Sequence, residues 1–121
     1  MSLRNQDLGR KGEDLAVRFL EERGFKILLR NVQLRFGEID ILAEDRGDLV
    51  IVEVKTRRSL ECGEPAEAVD YEKKRKLWQL AQLLSQQNPT KNIRIDVVAI
   101  KIGKKPQIEH IKNAIEWGNQ L

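Results

Sequence analysis

The chain has 121 residues, 40% hydrophobic and 34% charged, with a formal net charge of +3 and a pI near 9.1. That length supports one sizeable core but not two, so residues 1–121 are expected to form a single domain. One cysteine (Cys62) and one histidine (His110) exclude an intrachain disulfide and a zinc constellation, and no run approaches the ~20 apolar residues of a membrane span.

The first residues, M-S-L-R-N-Q-D, lack the apolar segment of a signal peptide, so a cytoplasmic location without a membrane partner is expected. Residues Asp7 to Glu22 read as a helix, with Leu8, Gly12, Leu15, Ala16, Phe19 and Leu20 on its apolar side and Gly24 as its stop. Glu13 lies at the edge of that side, where it could face a sheet. Phe25 to Val32 reads as a short strand.

Next come G-E-I-D-I-L-A-E, then D-R-G-D, then L-V-I-V-E-V-K, two β-rich runs around turn residues, which predict a hairpin. Its loop has either two residues (Arg46, Gly47) or four (Asp45 to Asp48). Both place the symmetry centre between Arg46 and Gly47 and set Asp40 directly opposite Glu53. Alternation then assigns Ile39, Ile41, Ala43, Val50, Val52 and Val54 to one face, and Glu38, Asp40, Leu42, Ile51, Glu53 and Lys55 to the other.

Two acids directly opposed on a sheet repel, the more so where water is excluded. A hard divalent cation compensates for such a pair: Mg²⁺ takes oxygen ligands, keeps several waters and is commonly held by one or two carboxylates. Lys55 would stand beside the bound water. The competing reading is a salt-bridge network, with Lys55 paired to Glu38 and Glu53 and Asp40 ending a strand.

Thr56 to Pro65, carrying Ser59, Cys62 and Gly63, reads as a polar loop of a length suited to substrate contact. Pro65 opens a long helix to about Gln87, with Val69, Lys73, Leu77, Leu80, Ala81 and Leu84 at helical spacing. Lys73 and Lys76 thus lie on or beside its inward stripe, either snorkelling past the core edge or aimed at the acids. Ile93 to Ile102 is a strand, Gly103 to Pro106 a turn, Gln107 to Ile111 a last strand, and Asn113 to Trp117 a helical turn. His110 is expected to be exposed or capping. The order is α-β-β-β-α-β-β. Basic residues cluster at Lys55/Arg57/Arg58, at Lys73 to Lys76 and at Lys101/Lys104/Lys105, which makes polyanions plausible partners. Phosphate-loop, dinucleotide and nucleophile-elbow motifs are absent, and the lysine has no role in glycoside hydrolysis.

Glu13, Asp40 and Glu53-Val54-Lys55, followed by a basic helix, resemble the PD-(D/E)xK nuclease superfamily, particularly the archaeal Holliday-junction resolvases. The pattern is closer still to the bacterial, resolvase-like YraN family. It comprises Gly12-Glu13, Gly24, Asn31, Gly37-Glu38-Ile39-Asp40-Ile41, Val52-Glu53-Val54-Lys55, Glu67-Ala68-Val69, Lys73 and Arg94-Ile95-Asp96-Val97-Val98. Ile39 replaces the superfamily's proline. The resemblance implies a restriction-endonuclease-like (resolvase-like) α/β fold, a mixed sheet flanked by helices. It further implies that Asp40, Glu53 and the Val54 backbone carbonyl hold Mg²⁺ or Mn²⁺, that Lys55 orients or helps deprotonate water and stabilises charge on the phosphate, and that Glu13 is an outer ligand or supports a second ion. Lys73, Lys76 and Arg57 would contact nucleic-acid phosphates, and a homodimer is implied. Three functions stay open: a metal-dependent endonuclease acting on DNA, branched or structured DNA included; a nucleic-acid-binding module that does not cut; and an interaction protein.

Overall fold

The computed structural model describes residues 5–35, 37–58 and 71–115. Their order is α1 (Asn5–Glu22), β1 (Lys26–Leu34), β2 (Gly37–Asp45), β3 (Asp48–Arg58), α2 (Tyr71–Gln87), β4 (Ile93–Ile102) and β5 (Gln107–Ile111), the expected sequence of elements. The sheet runs β1-β2-β3-β4-β5; β3 and β4 are parallel and every other neighbour pair is antiparallel.

α1 ends as Gly24 predicts. The residue takes a φ of 90°, while Gly24 N–H donates to the Glu21 carbonyl and Phe25 N–H to the Leu20 carbonyl, both at 3.0 Å, closing the last turn. The two helices cover opposite faces of the sheet. Ala16 and Leu20 of α1 pack with Phe25, Ile41, Ala43, Val50, Val52, Val98 and Ile100, whereas Leu77, Leu80 and Ala81 of α2 pack with Ile39, Leu42, Leu49, Ile51, Ile95 and Val97. Each fully buried leucine or isoleucine contributes about 1.5–3 kcal/mol.

The β2–β3 turn has two residues, Arg46 and Gly47, at φ 52° and 89°. Two consecutive positive φ values match the twist of the flanking strands. Asp45 faces Asp48 and the pairing runs to Ile41 opposite Val52, so the same register sets Asp40 level with Glu53.

Several expectations need correction. Thr56, Arg57 and Arg58 are not loop: they extend β3, because β4 supplies partners as far as Ile102. The remainder of that loop, the Pro65 helix start, and Glu116 and Trp117 lie outside the described residues. Asn113 has a φ of 51° and forms a turn rather than helix. The His110 side chain is 7% exposed rather than free at the surface, with Nε2 2.8 Å from Asp96 Oδ2 and its ring edge-on to Phe19 and Phe25. Ile39 packs on the α2 side, away from Ile41. The cause is a kink. The β1–β2 ladder passes from Arg30–Ile41 to Val32–Ile39, leaving Asn31, at φ 53°, and Asp40 between them, so alternation does not carry through. Among the described residues no helix is long and apolar enough to cross a membrane.

Candidate functional site

The kink opens the sheet beside β3. Past Ile41 the β2–β3 ladder stops, and Asp40 replaces a strand carbonyl: its Oδ2 accepts the Val54 N–H at 2.9 Å. A carboxylate that serves as a backbone partner is fixed in place. It leaves its other oxygen for a second role.

Glu53 points toward α2. It is 4% exposed, and its Oε2 is buried without a hydrogen-bond partner. Its Oε1 lies 3.4 Å from Lys73 Nζ and 4.0 Å from Lys55 Nζ. Burial, then repulsion from Asp40, pushes the Glu53 carboxyl up to about 7, despite the opposing attraction of Lys73 and Lys55. A raised carboxyl beside a second acid and two amines, at the edge of a cleft, marks a candidate functional site.

Glu13 reaches the same region from α1. Its Oε1 accepts from Arg30 Nε at 3.0 Å and from Asn31 Nδ2 at 2.9 Å, and Arg30 also bonds Asp14. Residue 31 therefore acts twice. Its left-handed backbone frees Asp40 from the ladder, and its amide holds Glu13. α1 sits close to β3 here because position 12 is glycine: a Cβ there would fall 1.9 Å from Thr56 Oγ1. Glu13, Asn31, Glu38, Asp40, Lys55 and Arg10 share the wall of an open cleft of about 760 Å³. Glu53 is not part of that wall; its carboxylate meets Lys73 of α2.

The donors are oxygen only. The orphaned Glu53 Oε2 and the opposed acids suit a hard cation such as Mg²⁺ or Mn²⁺, with waters completing its shell. Among the described residues no three Asp, Glu, His or Cys side chains converge on one point. The protein share would be Asp40, Glu53 and the Val54 carbonyl, with Glu13 held apart by Arg30 and Asn31. Of the expected phosphate contacts, Lys73 reaches Glu53, while Lys76 lies exposed along Gly37. Arg57 continues β3 beyond Lys55.

Residues 12–100 match the uncharacterised protein family UPF0102. The chain belongs to the UPF0102 family. UPF0102 proteins similar to it include one from Rhodococcus opacus, 48% identical over 114 residues, covering 91% of this chain and 97% of the relative. Another, from Geobacter metallireducens, is 49% identical over 119 residues, covering 96% and 98%. A third, from Persephonella marina, is 46% identical over 110 residues, covering 89% and 92%. The UPF0102 match contains Glu13, Asn31, Asp40, Glu53, Lys55 and Lys73. Sequence reasoning missed Arg30 as the partner of Glu13, since a lone arginine on a strand carries no local signal. The role of Asn31 was partly legible: asparagine is among the few residues that tolerate positive φ.

Proposed function

We propose that this UPF0102 chain is a metal-dependent endonuclease that hydrolyses phosphodiester bonds of DNA. One observation carries the reading: a buried carboxylate with an unpartnered oxygen, Glu53, stands level with Asp40 and within 4.0 Å of Lys55 Nζ. A buried carboxylate oxygen without a partner is uncommon in a purely structural ion-pair network.

Asp40, Glu53 and the Val54 carbonyl would hold Mg²⁺ or Mn²⁺. Bound there, the ion would supply an acidified water and charge neutralisation on the phosphate. Lys55 orients the attacking water or takes part in its deprotonation, and its ammonium stabilises charge on the phosphate. Lys73 neutralises Glu53 and would serve as a phosphate contact. Glu13, held through Oε1, borders the cleft and orients water from its other oxygen. Lys76 and Arg57 serve as phosphate contacts. Junctions and other structured DNA are included among the candidate substrates.

A second reading, a nucleic-acid-binding protein that does not cut, is favoured by the pairing of Glu53 with Lys73, which closes much of the charge balance without an ion. Purified protein with Mg²⁺ or Mn²⁺ is tested on duplex, nicked, single-stranded and four-way-junction DNA. Cleavage lost in Lys55→Ala, with binding kept, supports the nuclease. Binding without cleavage in either metal selects the second reading, and no binding at low salt removes both.

A further inference from the structure

The third basic cluster has no part in the cleft. Lys101 lies at the end of β4, and the turn after it carries Gly103, Lys104 and Lys105 before Gln107 opens β5. These five residues line a second concavity of about 630 Å³. Its wall holds three ammonium groups and one amide, and no carboxylate. Among the described residues no ion pair involves Lys101, Lys104 or Lys105. The other end of the sheet is the opposite: Asp45, Asp48 and Asp96 are matched by Arg94 and Lys112.

Register ties this concavity to the cleft. Because β3 and β4 are parallel, Lys55 is level with Ala99 and Arg57 with Lys101, and partners point to the same face. Two residues along a strand and one strand across separate the Lys55 and Lys101 backbones by about 8 Å. The turn begins two residues further on. A nucleic-acid strand advances about 3.4 Å along its axis per nucleotide. The turn therefore stands roughly two to four nucleotides from a phosphate held at Lys55.

We infer that the β4–β5 turn is a phosphate-binding subsite for the backbone of a nucleic acid whose reacting phosphate lies in the cleft. This rests on the nucleic-acid reading of the cleft and adds a direction to it: the bound strand leaves the cleft along β3 and β4 and runs over the turn. Lysines here act as point charges on phosphates, so the subsite contributes affinity without sequence preference.

The test is fluorescence anisotropy, in the Asp40→Asn background so that nothing is cut, with a duplex long enough to pass the turn and a short one that is not. Lys101→Ala/Lys104→Ala/Lys105→Ala is compared with a control that removes three charges at the far end, Lys26→Ala/Arg46→Asn/Lys112→Ala. The turn variant is expected to bind the long duplex about tenfold or more weakly at low salt, with the slope of log affinity against log salt reduced by about 2 to 3. The short duplex and the control are unaffected, and Lys→Arg at the same three positions retains binding. Equal affinity and slope for the turn variant and the parent would overturn the subsite and leave the nuclease reading standing. A turn-dependent loss in a protein that never cuts, with its acids intact, supports the subsite and overturns the nuclease reading. No binding by the parent overturns both.

Discussion

Replacing Glu53 by glutamine should flatten the pH dependence of stability in a defined window. The carboxyl is pushed up to about 7, from an ordinary value of 4.5, by burial and by Asp40. Its folded pKa lies above the unfolded one, so between those values the folded chain keeps a proton that the unfolded chain releases. The associated stability is full below about pH 4.5 and is lost as pH rises through about 7. A difference of roughly 2.5 units at 1.36 kcal/mol each makes the loss about 3 kcal/mol. The substituted glutamine has no charge to bury, but its amide inherits the unpartnered position at a cost of about 1–3 kcal/mol that does not vary with pH. Urea unfolding in chelator, followed by tryptophan fluorescence from pH 4.5 to 8.5, should therefore show the parent losing about 3 kcal/mol more than Glu53→Gln across the range. Parallel profiles would refute both the burial of the charge and its coupling to Asp40.

Three further outcomes are expected. Asp40→Asn, in the absence of metal, should be neutral or stabilising, since the amide oxygen still accepts the Val54 N–H while the repulsion is gone; Asp40→Ala should cost about 1–3 kcal/mol by orphaning that N–H, both read from urea midpoints. Gly12→Ala should destabilise by about 1–3 kcal/mol through collision with Thr56, whereas Gly9→Ala, with nothing within 4 Å, should stabilise by up to about 1 kcal/mol in thermal unfolding. Asn31→Gly keeps the positive φ and loses the amide, so it should lower cleavage more than it lowers stability; Asn31→Ala should lower stability further, by about 1–2 kcal/mol of backbone strain read from urea midpoints.

The hairpin was legible because its determinants are local. Asp-Arg-Gly-Asp allows a loop of two or four residues, and counting outward from between Arg46 and Gly47 sets Asp40 against Glu53 in either case, without any tertiary information. The inward stripe of α2 was legible for a similar reason, down to lysine at position 73. The face of Ile39 was not. Period-two alternation assumes an unbroken ladder, and Asn31 breaks it from the neighbouring strand, where β2 alone gives no sign. β3 beyond Lys55 was misjudged as loop because Thr-Arg-Arg is polar, while its strand form depends on a partner more than forty residues away in β4. His110 was hidden by the same kind of distance: nothing near it in sequence announces Asp96, Phe19 or Phe25.

The buried Asp96 gives the molecule a direction of opening. Burial alone would raise its carboxyl, but His110, Arg94 and the Asn113 N–H together hold it below the ordinary range. Arg94 extends the bonding to Asp45 and Asp48 beside the β2–β3 turn. The start of β4, that turn and the chain leaving β5 are thus joined at one end of the sheet, while at the other end the β2–β3 ladder stops at Ile41. Amides in the joined end should exchange with solvent only through global unfolding; beyond Ile41 the two strands meet only through the Asp40–Val54 bond, each still laddered to its outer neighbour. The gap between β2 and β3 at the cleft is therefore bounded by strands that β1 and β4 hold on their outer edges, while the far end ties β2, β3 and β4 together.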